Sequence, residues 1–336
     1  MKRNQHRDKS RPRHRSEQSI LHKIQREGTV GQRKSSRFIE LGMGDDAALL
    51  VPTRNQEIVL TCDWFLEGTH FLRDKHPADS VGWKCLARAV SDIAAMGGEP
   101  RCFLLSLALP DKLTGHWLGD FLKGLRRASR KLECALAGGD TTRSKRVLIQ
   151  VSVIGEIGPG IAKRRTGARP GDLLYVSGRL GEAEAGLRIL KAGSRKFKRN
   201  DQRLKKHFYP DPRIGLGRWL AEKRIASAMM DLSDGLSSDL GRMCKVSGVG
   251  ARIRASQLPV TSLAPASARL KMATHGGDDY ELLFAVPKAR AVELPNAFAG
   301  IPLTCIGEIT AKRAVLIAGN DGTTKSLTAN GWDPFR

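Results

Sequence analysis

Carboxylates recur beside glycine or serine throughout this chain: Gly44-Asp45-Asp46, Thr61-Cys62-Asp63, Ser91-Asp92, Gly138-Gly139-Asp140-Thr141-Thr142, Asp231-Leu232-Ser233-Asp234-Gly235 and Gly276-Gly277-Asp278-Asp279. Glycine and aspartate favour turns, so these clusters constrain where strands can end and helices begin. They also carry chemistry, because hard divalent cations such as Mg2+ take oxygen ligands in near-octahedral geometry and share them with substrate phosphates. The chain as a whole is basic, with 57 Lys and Arg against 34 Asp and Glu and a formal net charge of +23. A basic chain that gathers its acids into small groups has a use for them.

The basic excess is uneven. Residues 1–37 hold twelve Lys or Arg and three acids, and residues 187–206 hold nine and one. Residues 1–18 lack both the apolar run of a secretory leader and the means to bury a core, and read as a disordered basic tail able to touch RNA weakly. No run of about 18 apolar residues occurs, so no membrane-spanning helix is expected. The six cysteines, Cys62, Cys85, Cys102, Cys134, Cys244 and Cys305, contain no C-x-x-C pair, which suits a reducing, cytoplasmic compartment. At 336 residues the chain is long enough for two cores.

Apolar periodicity predicts helices over 19–25, 77–96, 117–132, 182–190, 213–223 and 236–246. Strands are expected over 47–51, 57–61, 101–109, 147–157, 172–177, 229–232 and 280–286, with a last one near 303–306. On this reading the acids lie at strand ends and turns, and the Gly-rich stretch starting at residue 158 divides two mixed α/β domains, 19–157 and 158–336. Gly178-Arg179-Leu180-Gly181 between a strand and a helix is a phosphate-friendly arrangement, though many plain turns share it.

No G-x-x-x-x-G-K-[ST] is present, nor H-E-x-x-H, zinc spacing or G-x-S-x-G. Taken singly, each acid group also fits a plain role: Gly44-Asp45-Asp46 a tight turn, Asp234 a helix cap, Asp278-Asp279 a solvated loop. Those readings leave unexplained why doubled acids flanked by glycine stand beside strands in both halves.

Six motifs in order resemble the thiamine-monophosphate kinase family, within the aminoimidazole-ribonucleotide-synthetase-like ATP-binding enzymes: Gly42-Met43-Gly44-Asp45-Asp46-Ala47-Ala48, Asp63 with Glu67-Gly68-Thr69-His70-Phe71, Ser91-Asp92-Ile93-Ala94-Ala95-Met96-Gly97, Gly138-Gly139-Asp140-Thr141-Thr142, Asp231-Leu232-Ser233-Asp234-Gly235-Leu236 and Gly276-Gly277-Asp278-Asp279-Tyr280-Glu281. The resemblance runs on to Gly331-Trp332-Asp333-Pro334-Phe335. It implies a two-domain synthetase-like architecture, an N-terminal ATP- and metal-binding domain completed by a C-terminal α/β domain. It also implies a homodimer that phosphorylates thiamine monophosphate from ATP by direct transfer, with several Mg2+ ions and no protein nucleophile. Carried over by position, Asp46, Thr61, Cys62, Asp63, Asp92, Asp140, Asp231 and Asp234 match metal contacts. Gly139, Asp140, Arg165 and Ser233 match ATP contacts, and His70, Asp278 and Trp332 match acceptor contacts.

Two departures stand out. Cys62 replaces a hydroxyl residue beside a metal position, so only a main-chain contact would survive there, and Ala89-Val90 replaces Asn-Leu before Ser91-Asp92. Other enzymes of the superfamily are the nearest alternative. No cysteine precedes Cys62, unlike selenophosphate synthetases, and the chain ends without the terminal cysteine of hydrogenase-maturation relatives. A nucleic-acid-binding role, suggested by the +23 charge, lacks interleaved aromatics, which total 5%.

Overall fold

The computed structural model describes residues 17–28, 37–193, 201–319 and 321–335. Residues 1–16 of the expected basic tail lie outside that range, and its last two residues, 17 and 18, belong to α1 (Glu17–Gly28). The first half continues with β1 (Ile39–Leu41), β2 (Leu49–Leu50), β3 (Glu57–Leu66), α2 (Ala78–Met96), β4 (Glu99–Leu109), α3 (His116–Lys131), β5 (Ala135–Arg143) and β6 (Leu148–Ile157). Four of these strands form a sheet in the order β3-β6-β4-β5, with β4 and β5 parallel and the other pairs antiparallel. Helices α2 and α3 cover one face of it over a core that includes Phe65, Phe103, Phe121, Leu86 and Ile149. Pro77 precedes α2 and Gly97, left-handed at φ 82°, ends it, as the sequence predicts.

The second half runs through β7 (Leu173–Ser177), α4 (Glu182–Ala192), α5 (Lys205–Phe208), α6 (Ile214–Glu222), β8 (Ala228–Asp231), α7 (Leu236–Ser247), β9 (Gly250–Arg254), α8 (Ala266–His275), β10 (Leu282–Val286), β11 (Ala297–Phe298), β12 (Ile301–Thr310), β13 (Val315–Ala318) and β14 (Thr324–Ser326). Its sheet has the order β14-β13-β9-β12-β7-β10-β8, with β11 beside β12. Strand β10 is buried on both faces, Leu283 and Ala285 against the α7 side and Leu282, Phe284 and Val286 against α6. A strand covered on both faces needs the unbroken apolar run Leu282–Val286 supplies. The fold is mixed α/β, in agreement with the sequence.

Two expectations fail in a way that matters for the acids. Strand β3 runs on to Leu66 rather than stopping at Thr61, so Cys62 and Asp63 lie inside it. Gly138-Gly139-Asp140 is likewise inside β5 rather than at a turn. Gly139 holds φ 152°, and a Cβ there would stand 1.9 Å from the Leu105 carbonyl oxygen of β4, so only glycine lets β5 pair at that point. The strand near 303–306 is not the last either, since β13 and β14 follow it.

The C-terminal turns of α2 reach across to the second half. Ala95 packs into the core built on α6 and β10, and Ser91 Oγ donates a 2.7 Å hydrogen bond to Asp231 Oδ2 at the end of β8. One helix therefore carries acids of the first half to acids of the second.

Candidate active site

A cleft of about 720 Å3 opens where α2 meets the second half, and its lining includes Asp63, His70, Asp92, Arg165, Asp231, Ser233, Asp234, Asp278 and Trp332. The alternation of β3 explains one wall: Thr61, Asp63 and Phe65 turn toward α2, while Leu60, Cys62 and Trp64 turn outward. Asp92 sits in α2, where its Oδ2 accepts a 2.6 Å bond from Thr61 Oγ1. Asp231 closes β8, and Ser233 and Asp234 follow in the loop to α7.

Asp234 is held by Arg242, and the main-chain N–H groups of Asp234 and Gly235 donate to Asp239 Oδ2, both at 3.0 Å. The same loop carries the C-terminal segment. Trp332 N donates to Asp234 O at 2.8 Å, and a Cβ on Gly331 would stand 2.1 Å from that carbonyl oxygen, which accounts for the glycine in Gly331-Trp332. The Trp332 ring is 6.5 Å from the His70 ring, and His70 stacks on Phe65 at 5.9 Å.

The acids in the cleft repel one another in a setting that water reaches poorly. Burial lifts Asp63 above the usual carboxylate range; Arg88 opposes the shift, while Asp92, Asp278 and Asp234 add to it. Burial, then Asp92, pushes Asp231 up to about 8 against the hydrogen bond from Ser91. Asp278 goes the other way, because Lys84 and Arg88 overcome its burial and hold it well below the usual range. Burial and then Arg88 bring His70 down to about 4, so its ring is neutral at pH 7.

Among the described residues no three His, Cys, Asp or Glu form a ready-made metal cluster. The donor chemistry nevertheless fits Mg2+. The groups are carboxylates and hydroxyls, and Mg2+ is held by one or two carboxylates plus substrate phosphates rather than by an all-protein cage.

Five residues singled out from the sequence lie outside the cleft lining. Asp46 is exposed on a bend after β1, and Asp140 is exposed on β5. Gly139 is accounted for by the pairing of β4 and β5, and Cys62 faces away from the cleft, its sulfur 2.8 Å from Gln150 Nε2. Thr61 lines an adjoining hollow with Asp92 and Arg165. The Gly178–Gly181 turn is not open to phosphate, since Asp279 fills it by accepting from Gly181 N at 2.6 Å and Ala183 N at 3.2 Å.

Sequence reasoning missed Lys84, Arg88 and Tyr280. Lys84 is 1% exposed, its Nζ 2.7 Å from Asp278 Oδ2, and Tyr280 OH donates to Asp278 Oδ1 at 2.7 Å. The signal was available: Lys84, Arg88 and Asp92 are spaced one helical turn apart and so share one face of α2.

Residues 44–157 match the family model of AIR synthase related protein, N-terminal domain, and residues 169–318 match that of the C-terminal domain. The thiamine-monophosphate kinase of Escherichia coli (strain K12) is 40% identical over 312 residues, covering 90% of this chain and 94% of that one. The chain belongs to the thiamine-monophosphate kinase family. AaThiL, solved in complex with AMPPCP and TMP, is a structural neighbour of the family with a TM-score of 0.74 at 33% identity, covering 86% of this chain and 91% of its own. Escherichia coli HypE, a hydrogenase maturation protein, superposes with a TM-score of 0.77 over 95% of this chain and 99% of its own. At 19% identity that likeness is one of fold alone.

Proposed function

We propose that the protein transfers the γ-phosphoryl group of ATP to thiamine monophosphate, giving thiamine diphosphate and ADP. An oxygen of the acceptor phosphate forms the new P–O bond as the bond to the β–γ bridging oxygen breaks. The observation that carries the reading is one cleft whose lining brings the carboxylates of Asp63, Asp92, Asp231 and Asp234 together with the His70 and Trp332 rings. Membership of the family, and a relative solved with AMPPCP and TMP, support it.

The second pKa of a phosphate monoester is about 6, so the acceptor is largely ionised at neutral pH and needs no strong base. The barrier is the approach of two anions in line. Asp63, Asp92, Asp231 and Asp234 would hold Mg2+, which when bound supplies positive charge to the phosphate oxygens. Arg165 and Ser233 reach the ATP side of the cleft, and His70, Asp278 and Trp332 form the acceptor wall.

Trp332 is 46% exposed, which leaves its ring free to stack on a cationic thiazolium or a pyrimidine. Loss of such a contact, worth about 1–2 kcal/mol, predicts that Trp332→Ala raises KM for thiamine monophosphate roughly ten-fold and leaves KM for ATP nearly unchanged. Equal weakening of both substrates with a lower Tm would reduce Trp332 to an anchor for the C-terminus.

A second copy of the chain is part of this proposal. The sheet face away from α2 and α3 exposes Ile58, Leu60, Trp64 and Leu104, an apolar patch of the kind that marks an interface. Cys62 and, by strand register through Ser106, Asp140 lie on the same face, so a partner docked there would meet two of the expected site positions that one chain leaves outside the cleft. Light scattering should find a dimer for the native chain and a monomer for Leu60→Asp combined with Trp64→Asp. A native monomer would contradict the homodimer. No helix among the described residues is long and apolar enough to cross a membrane, and all six cysteines are free; a cytoplasmic location is proposed on that basis.

A further inference from the structure

Lys84, Arg88 and Asp92 follow one another at single-turn intervals on α2. Lys84 is committed to Asp278, and Asp92 is held by Thr61. Arg88 is not committed in this way. The Asp63 carboxylate oxygen it faces is 3.9 Å from Nη2, beyond hydrogen-bond distance. Its Nε is buried without a partner, although the side chain, 14% exposed, borders the cleft. A buried donor left unpaired costs stability unless a ligand meets it.

The position of the guanidinium says which ligand. It lies over the Phe65 ring, 5.3 Å from the centroid. Phe65 in turn stacks on His70, which faces Trp332. Arg88 therefore stands at a junction between acid and rings, facing Asp63 on one side and lying on the other over Phe65, on which His70 stacks. In the proposed reaction the acceptor carries its phosphate at that junction, between the nucleotide and the organic rings. A planar guanidinium offers two parallel N–H donors that match two oxygens of a phosphate monoester.

We infer that Arg88 binds the acceptor's phosphate and so makes the site select a phosphate monoester over the free alcohol. This rests on the functional reading above and deepens it. During transfer one phosphate oxygen attacks the γ-phosphorus, the β–γ bridging bond breaks and ADP departs, while Arg88 retains the oxygens that do not attack. Because the acceptor enters as the dianion, Arg88 need neither give nor take a proton.

Calorimetric titration of the full chain in Mg2+ buffer tests this, with thiamine monophosphate, thiamine and AMPPCP as separate probes. Arg88→Met keeps the packing on Phe65 and removes the charge. It should weaken thiamine monophosphate by about 10- to 100-fold, the worth of a charge-assisted hydrogen-bonded pair, and leave thiamine and AMPPCP unchanged. Arg88→Lys, which retains the charge but not the fork, should recover part of the affinity. Unchanged binding of thiamine monophosphate to Arg88→Met would overturn the inference. So would a parallel loss for thiamine with a lower Tm, which marks a structural counter-ion to Asp63, or a loss confined to AMPPCP. If Arg88→Met does not fold, Arg88→Lys decides alone, and native affinity for thiamine monophosphate in that variant counts against the inference. A native chain that binds none of the probes would sink the functional reading along with it, whereas native binding unaffected by either substitution sinks this inference alone.

Discussion

Asp231→Asn should abolish most of the turnover while making the metal-free protein more stable. Asp231 is 3% exposed at the end of β8, and burial together with Asp92 pushes its carboxyl up to about 8. An acid held this way is costly to fold at neutral pH, and its amide isostere relieves about 1–3 kcal/mol of that cost while still accepting from Ser91. In a domain of this size the gain is a rise of roughly 2–4 °C in Tm per kcal/mol. The pH dependence has a definite sign. A folded-state value of about 8 against the ordinary 3.8 means that the favourable contribution is complete below 3.8 and is lost as pH rises toward 8. The variant should lack that share of the loss. Turnover should nevertheless fall by about 100- to 1,000-fold, because a charge that positions Mg2+ against the phosphates is gone. Near-native turnover at saturating Mg2+, or a lower Tm without metal, would show that Asp231 is an ordinary structural acid.

Lys84→Met has the largest expected effect on stability. Removing Lys84, itself 1% exposed, leaves the Asp278 carboxylate on the cleft wall, 27% exposed, with the Tyr280 hydroxyl as its remaining close donor. Breaking a buried pair from one side costs about 3–5 kcal/mol, more than the pair itself contributes. The loop is demanding as well, since Asp278 and Tyr280 both hold positive φ, 69° and 50°. Such conformations cost about 1–3 kcal/mol each and persist only where surrounding contacts enforce them. Urea denaturation should therefore show a loss of about 3 kcal/mol or more for Lys84→Met, and a smaller loss once Asp278→Asn is added and no charge is stranded. A single variant within about 1 kcal/mol of native would mean that solvent in the cleft screens the pair and that Asp278 does not depend on Lys84.

The sequence revealed the acids and the course of α2 because both are local. The 3.6-residue apolar period and the Gly97 stop define the helix, and the glycine-flanked carboxylates are visible one by one. It misled where pairing outweighs local preference. Gly138-Gly139-Asp140 has turn composition, yet β4 draws it into a parallel strand. The strands β1, β11 and β14, of three residues or fewer, are too short for a period to register. The Gly178–Gly181 turn looked open to phosphate because its occupant, Asp279, is 98 positions from Gly181. Nine of the site residues picked from sequence line one cleft. Asp46, Thr61, Cys62, Gly139 and Asp140 do not, and the exposed sheet face that carries Cys62 and Asp140 could be seen only once the registers of β3, β6, β4 and β5 were known.

The most direct test of the account is product analysis of the full chain with ATP, Mg2+ and thiamine monophosphate. The account predicts thiamine diphosphate and ADP in equal amounts, with thiamine itself a poor acceptor. ADP and inorganic phosphate formed whether or not thiamine monophosphate is present, with no thiamine diphosphate, would contradict it.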